Sequence, residues 1–331
     1  MKVYLLSPQE IQPKASAHQQ ACYGQLLGNA AQDARGQHRL TEDPDAADLI
    51  LAAIQSNGYG PFFRVLKKSP FFRRYKAKLL CYCPDDLIYP ALPGIYPSIS
   101  PWWAKQGWGC GGHYVSAHIH QHQFDVLSSD ARDILFSFVG SSKTHPLREK
   151  LIQSKHPRAL FFDPTPKSSE QYWFEKNEQA RQAMFTRYRD VMRRSKFALC
   201  PRGVSASSIR LFEAMESGCV PVLIADQLVL PPGPNWTSFC VRIPEEEASS
   251  VPAVIEQLEE DFEMMSQRAR AAWEDFFSPP STFHQLVESA AAIIRGLLSA
   301  RRKWLEMLAG VGQYTTPNNI RIHFRHALKG S

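Results

Sequence analysis

A chain of 331 residues, 44% of them apolar, is longer than one hydrophobic core usually grows and has the material for two domains. The formal net charge of +6 is modest at this length, and Lys and Arg sit among acidic neighbours instead of forming blocks. A nucleic-acid polyanion is therefore not demanded as a partner, and a basic cleft for something smaller stays open. Seven cysteines, an odd count with no CxxC pair, speak against a disulfide framework and for reduced, buried thiols.

In chain order, the opening MKVYLLSPQE lacks the long apolar core of a signal peptide. No stretch approaches the roughly twenty apolar residues that span a bilayer, so a cytoplasmic chain, at most peripheral to the inner face of a membrane, is expected. KVYLLS, ADLILAAI (to Ile54) and AKLLCYC (77–83) read as strands with helix-compatible segments between them, the mark of a doubly wound parallel sheet. DPD at 43–45 precedes a strand and reads as a turn. From Pro84 to Gly112 a segment rich in Pro, Trp and Gly reads as an irregular loop lining a cleft. HYVSAHI, from His113, then reads as a strand, and RDILFSFVG (132–140) as the first strand of a new unit, because a helix with Pro146 in its first turn follows. A boundary is expected near residue 130. Beyond it come a helix from about 146, a polar stretch, a helix over 175–194, a strand over 196–200, a helix over 207–217 and a strand over 219–224. From about 252 the chain is helical, with apolar residues spaced by three and four.

The segment 195–224, SKFALCPRGVSASSIRLFEAMESGCVPVLI, concentrates the chemistry. Pro201 ends a buried strand, and Gly203 with Ser205, Ser207 and Ser208 makes a tight turn of small side chains that lets a ligand approach the backbone. A serine N-cap and a helix N-terminus beside Arg202 suit a phosphate or diphosphate. Ser207, Arg210 and Glu213, spaced by three, share a helix face. At about 1.5 Å per residue, Glu213 lies roughly 9 Å beyond Ser207, near the step from a diphosphate to ribose hydroxyls. An ordinary surface pair between Arg210 and Glu213 would explain that spacing equally well. Gly218 closes the helix. SFVGSSKTHPLREK repeats the pattern of strand, Gly, small polar residues and helix, with Arg148 in the helix; alone, Gly140 needs only a tight turn there.

With its continuation ADQLVLPPGPNW, that segment resembles the donor-binding region of the exostosin family of glycosyltransferases: CPRG, a serine before Arg210, Glu213, GCVPV, Asp226, Leu230-Pro231 and Trp236 occur in order. PWWAKQGWGCGGHY (101–114) is similar to a second family stretch, in which His113 falls on the family's His, and FVG at 138–140 with Arg148 is a looser third. The resemblance covers roughly residues 95–245. It implies an α/β fold of GT-B architecture, two Rossmann-like domains facing a cleft: 1–130 for the acceptor, 131–300 for the donor, and 301–331 as a C-terminal helix and tail returning to the first domain. It further implies an inverting transfer from a nucleotide sugar, UDP-linked first, to a saccharide or glycolipid, without a required cofactor. Glu213 would then bind the ribose, the loop from Arg202 through Gly203, Ser205, Ser207 and Ser208 together with Arg148 and Arg210 the diphosphate, and Asp226 would border the donor. Gly112 departs from the family, which often carries an acid before the His, and no N-terminal anchor of the eukaryotic type is visible.

An inverting transfer needs a base for the acceptor hydroxyl, and His113 ranks first, then Asp86, with Asp85 beside it. His118, His120 and His122, with Asp125 after them, alternate as a metal-binding comb would, but no completing ligand set is evident and no metal is expected. Trp102, Trp103 and Trp108, with Tyr96, could stack on acceptor sugar rings; core packing is the rival, and Trp102 is expected to be buried. The other readings of the same fold are a fucosyltransferase-like enzyme using a guanine nucleotide sugar, whose carboxylate and lysine pattern is not found, and a sugar- or nucleotide-binding protein without turnover, prompted by Gly112.

Overall fold

The computed structural model describes residues 1–54, 61–85, 90, 92–115, 124, 126–163 and 178–314, with side chains described as far as residue 300. Two separate parallel sheets form. The first comprises β1 (Lys2–Leu6), β2 (Arg39–Leu40), β3 (Leu49–Ala53), β4 (Leu79–Tyr82), β5 (Gly94–Tyr96) and β6 (Gly109–Gly111), in the order β2-β1-β3-β4-β5-β6. The second comprises β7 (Ile134–Val139), β8 (Ala159–Phe162), β9 (Ser195–Pro201), β10 (Val220–Ile224) and β11 (Val241–Arg242), in the order β11-β10-β9-β7-β8. All pairings are parallel. This is the GT-B arrangement of two doubly wound α/β units.

Parallel strands bury both faces, so their sequences are apolar throughout instead of alternating, as LILAA and VPVLI are here. Successive residues point to opposite faces. Val3 and Leu5 face Leu26 and the buried Phe283, Leu286, Val287 and Ala290, while Tyr4 and Leu6 face Phe62, Leu66 and Tyr75. In the second sheet Cys200 and Leu223 pack on Leu211, Met215 and Ala269, and Phe136, Leu199 and Ile224 on Leu147, Ile255 and Phe262.

Four expectations change. The segment after Pro84 is not irregular: it holds β5, β6 and a short helix, Pro101–Lys105. Its glycines hid the strands, because a Cβ on Gly94 would lie 2.1 Å from the Cys81 carbonyl oxygen, so glycine is needed where β5 meets β4. Residues 113–115 are not strand, and the rest of HYVSAHI lies outside the described residues. The expected helix from 207 starts only at Arg210 and runs to Glu216; its N-cap is Ile209, without a side-chain cap, and the Ser205 and Ser207 hydroxyls bond Ser98 and Tyr114 instead. Gly218, at φ +70°, closes it as anticipated. Finally, the helix Pro279–Tyr314 packs on the first sheet from Phe283 onward, so residues expected to go with the second unit complete the core of the first.

All seven cysteines are free. Among the described residues, no helix is long and apolar enough to cross a membrane.

Replacing Gly94 by Ala should cost about 2–3 kcal/mol, because the new methyl meets backbone and not a flexible side chain end. Urea denaturation checks this: an unchanged midpoint would mean that β5 does not sit against β4 as described.

Candidate functional site

Strand order in the second sheet reverses at β7 and β9, since the chain leaves β7 toward β8 and leaves β9 toward β10. In open α/β sheets the crevice outside the carboxyl ends of such a strand pair is where ligands bind. Val139 and Pro201 end these strands, and two arginines meet there.

Arg148 projects from the helix Pro146–Gln153, whose start is set by Pro146 at its first position and by the His145 ring accepting from the Leu147 amide at 3.3 Å. Its Nε donates to the Arg202 carbonyl at 2.8 Å, Nη2 to the Pro201 carbonyl at 3.1 Å and Nη1 to the Ser141 carbonyl at 3.3 Å. One guanidinium thus joins the loops that follow β7 and β9. Arg210 donates from Nε to the Val139 carbonyl at 2.7 Å and from Nη1 to Glu213 Oε2 at 2.6 Å, and lies over the Tyr188 ring at 4.7 Å. Tyr188, in the helix Glu178–Arg194, donates its hydroxyl to the same Glu213 oxygen at 2.6 Å.

Glu213 is only 2% exposed, so it forms neither a surface pair nor a carboxylate standing open in the cleft. Desolvation makes such a pair fragile: deleting one partner of a buried pair costs about 3–5 kcal/mol. Glu216, one turn later, is half-buried. Desolvation first, and the Glu213 carboxylate second, push its pKa up to about 8 against the opposing pull of Arg270.

Arg202 donates its amide to the Ile224 carbonyl and reaches Glu245 at 3.7 Å, while its Nε is buried without a partner among the described residues. The Ser208 hydroxyl is likewise buried without a partner among the described residues. Asp226 is exposed beyond β10; its amide donates to Glu245 at 3.0 Å and its carboxylate accepts from the Glu245 amide at 3.2 Å. Gly203 donates to the Ser207 carbonyl at 3.4 Å. Ser205 and Ser207 turn away from the helix toward Ser98 and Tyr114 of the first domain.

His113 is 5% exposed at the seam between the domains. Its ring packs near Phe212 and Phe277, and Nε2 lies 3.1 Å from Thr282 Oγ1. Gly112 has a steric cause: a Cβ there would lie 2.5 Å from Ile95 Cγ2, so an acid before the His does not fit this backbone. Trp102 is 61% exposed, contrary to expectation, and meets Trp103 edge to face at 4.6 Å; Trp108 is tied by its Nε1 to the Pro90 carbonyl. Asp85 is half-buried beside Cys83. Asp86 and the residues of the comb, His118, His120, His122 and Asp125, lie outside the described residues. Tyr188, Ser98, Tyr114 and Glu245 were not singled out in the sequence. Tyr188 falls in an apolar stripe with Val191 and Met192, and nothing local separates it from a core residue.

Residues 113–258 match the model of the Exostosin GT47 domain. The chain carries an exostosin-type domain. It is 32% identical over 140 residues to exostosin-2 of Bos taurus, covering 40% of this chain and 19% of that one. A second relative, from Arabidopsis thaliana and named "Probable glycosyltransferase", is 38% identical over 91 residues, or 26% of this chain and 18% of the relative. The chain therefore spans about a fifth of the length of these curated relatives. Among solved structures, HepE of Anabaena in complex with UDP aligns over 88% of this chain and 99% of its own, at 12% identity and a TM-score of 0.39, too remote a likeness to bear on the ligand. The exostosin-type domain includes the loop from Arg202, both residues of the buried pair and Asp226, while Arg148 also falls inside the match and Trp102, Trp103 and Trp108 fall outside it.

The folded chain holds a proton on Glu216 between pH 4.5 and about 8 that the unfolded chain has lost. Its contribution to stability is full below pH 4.5 and falls as pH rises through that window. Glu216→Gln cannot titrate, so its unfolding free energy should exceed that of wild type by at least about 1 kcal/mol at pH 8 and converge with it near pH 5. Parallel profiles of the two proteins in urea would remove the buried acid.

Proposed function

We propose that this chain is an inverting glycosyltransferase that takes a sugar from a nucleoside-diphosphate sugar, UDP-linked first, and places it on a saccharide or glycolipid acceptor. The observation that carries the proposal is the convergence of Arg148 and Arg210 on the carboxyl ends of β7 and β9, inside the exostosin-type match. A diphosphate needs cationic and N–H or O–H donors in a crevice partly closed to water. Arg210 is paired with the buried Glu213 while Arg148 bonds backbone carbonyls, which leaves positive charge at the crevice, and the Ser208 hydroxyl and Arg202 Nε, without partners among the described residues, add O–H and N–H donors. Glu213 takes the ribose, or fixes Arg210 for the diphosphate, and Asp226 borders the donor.

In the reaction the acceptor oxygen bonds to the anomeric carbon as the bond from that carbon to the diphosphate oxygen breaks. The hydroxyl proton passes to a base and the negative charge collects on the leaving diphosphate, where the arginines stand without need of a metal. His113 is the base proposed, with Asp86, outside the described residues, second. The exposed face of Trp102, beside Trp103, offers an apolar surface to an acceptor sugar ring. Free cysteines throughout suit a reducing, cytoplasmic compartment.

Thermal shift and calorimetry with the diphosphates of uridine, guanosine, adenosine and cytidine test the donor site, since a ligand of the native state raises its melting temperature. One diphosphate should stabilise the protein, and Glu213→Gln should lose at least about tenfold in its affinity. No response to any of the four would end the donor assignment. His113→Gln should lower kcat by about 10²–10⁴ with the diphosphate Kd unchanged; equal turnover would exclude it as base. A chelator should leave the rate as it is, and a loss restored by a divalent ion would overturn the metal-free mechanism.

A further inference from the structure

We propose that the first domain supplies part of the diphosphate site, through the hydroxyls of Ser98 and Tyr114, a proposal that rests on the donor-binding function above. Ser98 follows β5 by two residues and Tyr114 follows β6 by three, so both come from the carboxyl edge of the first sheet, the edge at which open parallel sheets hold ligands. They meet the donor loop directly. Ser98 Oγ lies 2.8 Å from Ser205 Oγ and 2.6 Å from Ser207 Oγ, those two lie 3.0 Å apart, and the Tyr114 hydroxyl also bonds Ser207.

Four hydroxyl protons thus serve four oxygen contacts in a cluster that carries no formal charge. Ser98 and Ser207 are 9% and 5% exposed, so the cluster is mostly shielded from bulk water. As a bare domain contact it gains little, because each neutral hydrogen bond nets only about 1 kcal/mol and apolar packing would serve as well. What a hydroxyl cluster offers instead is protons that swing about their C–O bonds. Such a group satisfies itself when empty and turns donors outward to an anion with little movement of heavy atoms.

Its position fits that use. Ser207 is bonded through its carbonyl to the Gly203 amide, and it adjoins Ser208, whose buried hydroxyl has no partner among the described residues. The point a Gly203 Cβ would occupy is 3.1 Å from Arg148 Nη2 and 4.0 Å from the Ser207 carbonyl oxygen, so the guanidinium and the serine loop flank one spot. Diphosphate oxygens arriving there would meet Arg148 from the second domain and, through the cluster, Ser98 and Tyr114 from the first. Donor binding then draws on both domains.

Calorimetry of the full chain with UDP and with uridine, repeated with GDP and guanosine, tests this on Ser98→Ala and Tyr114→Phe. The diphosphate that wild type binds should bind each variant about tenfold or more weakly. The matching nucleoside should keep its affinity within about twofold and the melting temperature should stay near that of wild type. Ser98→Thr, which keeps a hydroxyl, should retain diphosphate affinity. Equal weakening of diphosphate and nucleoside, or no change in either, would overturn the proposal. A wild type that binds none of the diphosphates of uridine, guanosine, adenosine and cytidine would take the donor function down with it, and the variants are measured with whichever of the four it binds. Loss of binding in Glu213→Gln with normal binding in the Ser98 and Tyr114 variants would leave the donor function standing and this proposal refuted.

Discussion

The backbone carbonyls at the ends of β7 and β9 set the constraint on which the second domain depends. Where the two connections leave in opposite directions, the ladder can no longer pair those groups, and a buried carbonyl without a donor is costly. Arginine carries five N–H donors on a rigid plane, and two arginines do the pairing here: Arg148 takes the carbonyls of Ser141, Pro201 and Arg202, and Arg210 takes that of Val139. Buried guanidinium charge then needs compensation. Glu213 supplies it, Tyr188 holds Glu213, and the acid at Glu216 stays protonated to higher pH, first because it is desolvated and second because the Glu213 carboxylate stands next to it. Backbone satisfaction and the positive character of the crevice are thus one arrangement.

Much of this was legible from residue order. Apolar runs marked β1, β3, β4, β7, β9 and β10, because strands buried on two faces must be apolar along their whole length. The spacing of Arg210 and Glu213 correctly placed them on one helical face, and Pro146 and Gly218 bounded their helices. What stayed hidden depended on partners distant in sequence. β5 and β6 are only three residues each, and are glycine-rich because their neighbours approach too closely for side chains, which makes them look like loop. The serines read as helix caps because local chemistry allows it, whereas Ser98, over a hundred positions upstream, gives Ser205 and Ser207 a different bond. Tyr188 and Trp102 show the same limit in opposite directions: one core-like residue holds the buried carboxylate, and one large apolar residue faces solvent.

The seam between the domains is apolar at its centre and hydroxyl-rich at its edge. His113, Phe212 and Phe277 cluster there, with rings 5.1–5.9 Å apart, and Thr282 ties the His to the start of the last helix. Phe212 adjoins Glu213 in sequence, so one short helix carries both the buried carboxylate and a ring of this cluster.

The course of the final helix bears on how the chain is made. Phe283, Leu286, Val287 and Ala290 complete one face of the first sheet, yet they are synthesised after the whole of the second. The strands of the second sheet, from Ile134 to Arg242, are contiguous and can assemble as they leave the ribosome, whereas β1 through β6 keep part of one apolar face, beside Leu26, uncovered until Phe283 to Ala290 have followed. During translation, of the two sheets, the one that emerges first is the one whose core is finished last.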